Sequence, residues 1–281
     1  MAAIPINNKS LLGLINLRLE ADQEDSRRRH LGGSQIGNPC ARELWYAWRW
    51  CKQVKHEARI LRLFSRGHFE EPRFVKMLES VGVVVDEVDP VTKKQFKVVA
   101  VDGHFGGSLD GIGMNVPEAP KTAHLLEFKT HNDKSFKKLL KVGMRSSKPV
   151  HYAQMQIYMK LMGLTRGVYM AVNKNDDSLH VERVRYDKAF ADKTLEKATS
   201  IIMSALPPKP LDPNQSRMEC GWCDFSGICG GIELPQKSCR SCLNVAPAQG
   251  GRWHCGKYNC YIDPVKDENG YPHENDREGC D

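Results

Sequence analysis

Glu127 and Lys129 stand two apart in His124-Leu125-Leu126-Glu127-Phe128-Lys129, where apolar and charged residues alternate. Successive side chains of a strand point to opposite faces. Leu126 and Phe128 are therefore expected in a core, with the carboxylate and the ammonium together on the other face. Upstream, Gly107-Ser108-Leu109-Asp110-Gly111 supplies a second carboxylate, beside glycines that suit a bend or a close backbone approach. Two acidic oxygens converging from neighbouring strands, with the Phe128 carbonyl between them, make a hard-oxygen site of the kind that Mg²⁺ or Mn²⁺ prefers. On its own, the Glu127 and Lys129 pair fits a solvated surface couple equally well.

The cysteines offer a second chemistry. The chain has ten of them. Its first residues, Met1 to Asn8, lack a basic region followed by an apolar one, and no apolar run approaches membrane-spanning length. A soluble, cytoplasmic protein is the expectation, with thiols kept reduced and used for metal rather than disulfides. Cys220, Cys223 and Cys229 form a Cys-x2-Cys-x5-Cys group, and Cys40 is the obvious fourth donor. Four thiolates suit an iron-sulfur cluster or Zn²⁺. Cys239, Cys242, Cys255 and Cys260 form Cys-x2-Cys-x12-Cys-x4-Cys, which reads as a small zinc ribbon or knuckle able to fold a segment too short for its own core. His254 could replace one of these cysteines, and His273 or Cys280 could be spare ligands. Arg240, Arg252, Trp253, Lys257 and Tyr258 could give this module a nucleic-acid face, or the module could be a purely structural cap. Cys51 is left as a packing thiol.

Several elements must position these groups. Leu11, Leu12, Leu14, Ile15 and Leu17 carry helical spacing. Asn38-Pro39 precedes a helix from Arg42 to about Trp50, in which Trp45, Trp48 and Trp50 are read as packing residues. A helix is predicted from His56 to Ser80, with a kink or boundary at Pro72. Strands follow at Val81 to Val85, Phe96 to Val101, Gly106 to Ile112 and Leu125 to Lys129. Helical spacing returns from His151 to Met162, placing Gln154 and Tyr158 on one face. Gly167 to Val172 and Leu179 to Val184 read as a hairpin, and a helix from Asp187 to Leu206 leads to the stiff connector Pro207-Pro208-Lys209-Pro210. Helices before, between and after a short mixed sheet give an α/β core.

The formal charge is +7, yet Asp263, Asp267, Glu268, Glu274, Asp276, Glu278 and Asp281 crowd the end of the chain. The body is thus more basic than the sum and suits a polyanionic partner. Lys134, Lys137, Lys138, Lys141, Arg145 and Lys148 lie just beyond the carboxylate stretch, as a solvated helix face or as groups that hold phosphates.

Asp110 followed by Glu127-x-Lys129 resembles the PD-(D/E)xK nuclease core, and Gln154-x3-Tyr158 resembles the motif of its RecB-like, phage-exonuclease branch. Glu71 follows Gly67 after three intervening residues, where such nucleases carry an acidic or histidine residue ahead of the first strand; His68 does not, and is read as a surface or packing histidine. Cys40 with Cys220, Cys223 and Cys229 resembles the staple of the iron-sulfur nucleases in that branch. The likeness spans roughly residues 36–230. It implies a restriction-endonuclease-like α/β fold, a mixed central sheet flanked by helices, in residues 1–235, with residues 236–281 as a small metal-binding module and acidic tail. It further implies a Mg²⁺- or Mn²⁺-dependent deoxyribonuclease, favouring an exonuclease, whose metal is held by Asp110, Glu127, the Phe128 carbonyl and Glu71. Lys129, Gln154 and Tyr158 would complete the catalytic set, and a four-iron cluster or Zn²⁺ would fill the first cysteine site. DNA is the implied partner, with a recombination or single-strand-binding protein beside it. A structure-specific endonuclease, a non-catalytic DNA-binding scaffold on the same fold and a Cys-x-x-Cys redox protein are the alternatives.

Overall fold

The structure, a computed structural model, describes residues 10–23 and 27–262 and the backbone of 264–266 and 272–274. In chain order it contains α1 (Leu11–Ala21), β1 (Leu31–Gly32), α2 (Ala41–Trp48), α3 (Ala58–Ser80), β2 (Val84–Asp86), β3 (Lys97–Ala100), β4 (Phe105–Ser108), β5 (Gly111–Met114) and β6 (His124–His131). Next come α4 (Asp133–Ser147), α5 (Pro149–Met162), β7 (Arg166–Asn173), β8 (Leu179–Arg185), α6 (Lys188–Met203), α7 (Met218–Gly221) and α8 (Ser226–Cys229). The last described side chains belong to β9 (Val245–Pro247), β10 (Trp253–Cys255) and β11 (Cys260–Ile262).

The central sheet has five strands in the order β2-β5-β6-β7-β8. Only β6 and β7 run parallel; the other neighbours are antiparallel. The fold is thus α/β with a mixed sheet, and helices cover both of its faces. On one face Leu126 and Phe128 pack with Phe74 and Val75 of α3 and with Val168 and Met170 of β7. On the other, Leu125 and Tyr169 join Met155, Ile157 and Tyr158 of α5 in the larger core, to which α6 adds Ala198, Ile201 and Ile202. A central strand covered on both faces has no solvated side. The charged face read from the alternation of β6 therefore exists, but it lies under α5 rather than in water.

Two expectations are corrected here. Gly106 to Ile112 does not form one strand: β4 belongs to a separate three-stranded sheet, β1-β4-β3, and the chain changes sheets across Leu109 and Asp110 before β5 pairs with β6. Asp110 sits at that break. Pro72 does not end its helix: α3 runs through it. The proline is on the exposed side, where a backbone carbonyl left without an N–H partner can be hydrated.

β9, β10 and β11 form a small antiparallel sheet in which Cys255 and Cys260 are register partners. Its apolar residues do not make a core of their own. Val245, Trp253 and Cys255 belong to the same cluster as Trp45, Trp48 and Leu44 of α2. Arg240 and Trp253, read as candidates for a nucleic-acid face, are fully buried instead. The Arg240 guanidinium lies over the rings of Trp50 and Trp253, 4.2 and 4.8 Å from their centroids. Arg49 reaches the module from the other side, donating to the Cys242 carbonyl at 2.7 Å and the Val245 carbonyl at 2.9 Å. Stacked cations and aromatic rings, rather than aliphatic packing alone, join this segment to the body.

Candidate active site

Four elements converge on Glu127. β6 carries Glu127 and Lys129, the turn before β5 carries Asp110, α5 carries Gln154, and α3 brings Glu71 to the rim. Phe74 lies three residues after Glu71 on the same helical face, and its ring stacks on Phe128 at 5.1 Å. That stacking fixes α3 against β6 and holds Glu71 beside the strand. Pro149 starts α5 at a position that needs no N–H partner. One turn on, the Gln154 amide donates to Glu127 Oε2 at 2.8 Å. Asp110 Oδ2 accepts from the Phe128 N–H at 2.7 Å, which locks the carboxylate to the strand.

Glu127 is fully buried, and its other oxygen is in contact with the Lys129 ammonium. Burial raises the Glu127 carboxyl to about 7; Lys129 opposes the rise and Asp110 reinforces it. Burial tends to lower Lys129, but Glu127 and Asp110 outweigh it and the ammonium is favoured overall. Glu71 is likewise raised, first by burial and then by Asp110, with the neighbouring His68 ring 3.3 Å away opposing the shift. Three carboxylates thus repel one another around one lysine, an arrangement that a divalent cation would relieve. Lys129 also donates to the Phe128 carbonyl at 3.0 Å, which leaves that oxygen a second lone pair.

Glu71, Phe128 and Lys129 line a groove of about 970 Å³. His68, expected as an ordinary surface histidine, lines it too. The six basic groups of α4 do not. Lys134, Lys137, Lys138, Lys141 and Arg145 are exposed on that helix and Lys148 is half-buried at its end. Lys137 pairs with Asp133 and Arg145 with Asp187, while Lys148 contacts the Ser135 hydroxyl. Besides Lys129, the lysine and arginine side chains that line the groove are Arg27, Arg28 and Lys52, from segments without a regular pattern. No spacing signal pointed to them. Tyr158 is placed behind the site, in the core: a side chain at Gly33 or Gly107 would overlap its ring. Burial first, and then the Glu127 charge, push its hydroxyl pKa far up.

A feature absent from the sequence reading flanks Lys129. The Tyr169 hydroxyl, on β7 opposite Glu127, lies 2.8 Å from His131 Nε2 and 2.9 Å from His151 Nδ1. Burial holds His131 down to about 4 and His151 to about 3, and Lys129 and Lys148 push both in the same direction. Both rings are neutral in the fold and take up protons on unfolding. The unfolded chain then binds more protons below pH 6.5, so stability rises with pH across the window from about 4 to 6.5. Between pH 7 and 5 each histidine is expected to remove about 2 kcal/mol of stability. Urea unfolding of the wild type at both pH values, against a His131→Gln and His151→Gln double variant, reads this slope. A slope that the double variant does not flatten would contradict it.

Cys40, Cys220, Cys223 and Cys229 line one small pocket, although 180 residues of sequence separate the first from the second. Cys40 caps α2, and Arg42 reaches Cys229 at 3.8 Å. Burial raises Cys220, and Asp212, Cys40 and Cys229 add to the rise; burial likewise pushes Cys223 up to about 12. Thiols that resist ionisation for these reasons are ones a cation would stabilise as thiolates. In the second set, Cys242 follows Cys239 in a hydrogen-bonded turn and Asn244 donates to its sulfur. Gly256, next to Cys255, bonds back to the Asn244 carbonyl at 2.7 Å, so turn and hairpin meet at one end. Cys51 is a buried core thiol. His273 and Cys280 lie outside the residues whose side chains are described. Among the described residues no three His, Cys, Asp or Glu side chains stand close enough, as placed, to hold one ion.

No family model matches the chain. No curated protein matches it in sequence. Among solved structures it is similar to LHK-Exo, an alkaline exonuclease from Laribacter hongkongensis, at 19% identity and a TM-score of 0.46, over 66% of this chain and 90% of that one. It is similar to SSO0001 at 15% identity and a TM-score of 0.46, over 81% and 99% of the two chains. A phage-related exonuclease from Haemophilus somnus gives 15% identity and a TM-score of 0.39, over 57% and 77%. Among the described residues no helix is long and apolar enough to cross a membrane.

Proposed function

We propose that this chain is a metal-dependent DNA nuclease of the PD-(D/E)xK type. The observation that carries the reading is the grouping of Asp110, just before β5, with Glu127 and Lys129 in the neighbouring β6, and with Gln154 bonded to Glu127. A surface ion pair would be solvated and would not have a glutamine committed to its carboxylate. The donor set fits Mg²⁺ or Mn²⁺: hard oxygens from Asp110, Glu127, the Phe128 carbonyl and Glu71, in a number that leaves waters on the ion. Such an ion, when bound, polarises the scissile phosphate and acidifies water. Gln154 keeps Glu127 aimed at the site, and the Phe128 N–H does the same for Asp110. Lys129 offsets negative charge developing on the phosphate, in a site walled from bulk water on the α5 side. Arg27, Arg28 and Lys52 hold flanking phosphates within the groove, and the cations of α4 extend that attraction outside it.

For the first cysteine set we propose a four-iron cluster, with Zn²⁺ as the alternative, stapling the start of α2 to the α7 and α8 segment. The shared pocket and the raised Cys220 and Cys223 thiols support it. Purification without oxygen should give a broad absorbance in the blue that Cys40→Ser removes; a colourless, zinc-loaded wild type would reject the cluster. We assign Zn²⁺ to Cys239, Cys242, Cys255 and Cys260.

Exonuclease action is tested with end-labelled linear and covalently closed circular DNA in Mg²⁺, in Mn²⁺ and in chelator. Degradation of the linear form alone is the expected result. Loss of the closed circle at a similar rate would make the enzyme an endonuclease.

A further inference from the structure

Trp222 is 85% exposed, whereas Trp45, Trp48, Trp50 and Trp253 are 2, 2, 7 and 1% exposed. An indole left in water forgoes the burial that stabilises the other four, and its face is open to a ligand. The ring stands between Cys220 and Cys223, where α7 ends. That turn is closed by backbone bonds from Cys223 to the Cys220 carbonyl and from Ser226 to the Cys223 carbonyl. Among the described residues no ring stacks on Trp222 and its indole N–H has no acceptor. It lines the same groove as Lys129 and Glu71, while the exposed Met218, Ile232 and Leu234 of the same segment do not.

We propose that Trp222 is a stacking platform for an unpaired base, and that the strand entering the groove is therefore single-stranded DNA or a frayed duplex end. The proposal rests on the nuclease reading above. In a duplex the base faces are covered by neighbouring bases, whereas a single strand offers a π-face at every nucleotide. The charges around the ring point the same way. Asp224, two residues after Trp222, also lines the groove, and its carboxylate repels a phosphate chain laid against the indole, while the Glu219 carboxylate on the other side is held by Arg217 at 3.1 Å. Arg27 and Arg28, on the same groove, attract it. A strand with its phosphates toward the arginines presents its bases, not its backbone, to Trp222.

Because the other four tryptophans are buried, the solvent-exposed part of the intrinsic fluorescence comes from Trp222. Titrating the full chain, as purified with its cysteine sites filled and with Mg²⁺ and Mn²⁺ withheld, with a mixed-sequence single-stranded oligonucleotide should quench that emission; a blunt duplex of the same length should not. Trp222→Ala is expected to weaken single-strand binding roughly 5- to 150-fold and to move blunt-duplex binding by less than about twofold. Trp222→Phe, which keeps a stacking face, should restore most of the affinity while removing the fluorescence signal. Equal metal content and melting temperature of the variants set aside damage to the cysteine site. Unquenched emission with a bound single strand, or equal losses on both DNA forms in Trp222→Ala, would overturn the proposal. A wild type that cleaves DNA yet shows either result loses this inference alone; a wild type that neither binds nor cleaves DNA loses the nuclease reading as well.

Discussion

Replacing Asp110 with Asn, Glu127 with Gln or Lys129 with Met is expected to slow phosphodiester cleavage by on the order of 10³-fold or more, with DNA binding largely kept. The three variants should differ in stability, and the difference is informative. Glu127 is buried, its carboxyl raised to about 7, so Glu127→Gln removes a costly charge while keeping the shape and an oxygen for Gln154. That variant should be at least as stable as the wild type. Lys129→Met removes the cation facing Glu127 and should be the least stable of the three, most of all above pH 7, where the unpaired carboxylate cannot take up a proton cheaply. Single-turnover cleavage and melting temperature measured side by side separate the chemistry from the fold. Cleavage unchanged in all three would remove the active-site assignment.

The other large effect is expected from Trp253→Ala, a loss of roughly 3–5 kcal/mol of folding stability. Its ring lies 4.8 Å from Trp48 and is covered by both Arg49 and Arg240, so deletion leaves a cavity and strips two buried guanidinium groups of a stacking surface. The loss should reach the groove. Arg240 also donates to the Arg29 carbonyl at 2.9 Å, and the Trp50 indole donates to the Arg28 carbonyl at 2.8 Å. The same layer of rings therefore supports the segment that carries Arg27 and Arg28 into the groove. Urea unfolding should show the stability loss, and salt titration of DNA binding should show a shallower slope as phosphate contacts are given up. A chain ended at residue 235 should fail to fold, since it would uncover Trp48 and leave Arg49 without the Cys242 and Val245 carbonyls. A stable, DNA-binding truncation would show that residues 236–281 are an independent appendage.

The site was legible in the sequence where one local pattern set both position and direction. Alternation in β6 placed Glu127 and Lys129 together, while spacing on α5 said only that Gln154 and Tyr158 share a helical face; the bond from Gln154 to Glu127 appears only in the structure. What alternation could not tell was which faces are covered, because burial of Glu127 depends on α5, encoded some twenty residues later. The break at Asp110 was hidden for a similar reason. Gly106 to Ile112 has the composition of one strand, and only the pairing of its two halves with different sheets separates them. The lysines of α4 were conspicuous by number, yet a helix turns its cations outward by default. The groove is instead lined by Arg27, Arg28 and Lys52, held there by tertiary bonds to Trp50, Ser34 and Glu233. Trp253, read as a candidate for a nucleic-acid face, is a core residue, whereas Trp222, to which no role was attached, is exposed, and nothing in the neighbouring sequence distinguishes the tryptophan that faces inward from the one that lines the groove.

The most direct test is release of nucleotides from linear DNA by the purified wild-type chain under three conditions: Mg²⁺, chelator, and chelator followed by excess Mn²⁺. The expected result is release in the first, none in the second and recovery in the third. No release in any condition, or equal release with chelator, would contradict a metal-dependent phosphodiesterase at Asp110, Glu127 and Lys129.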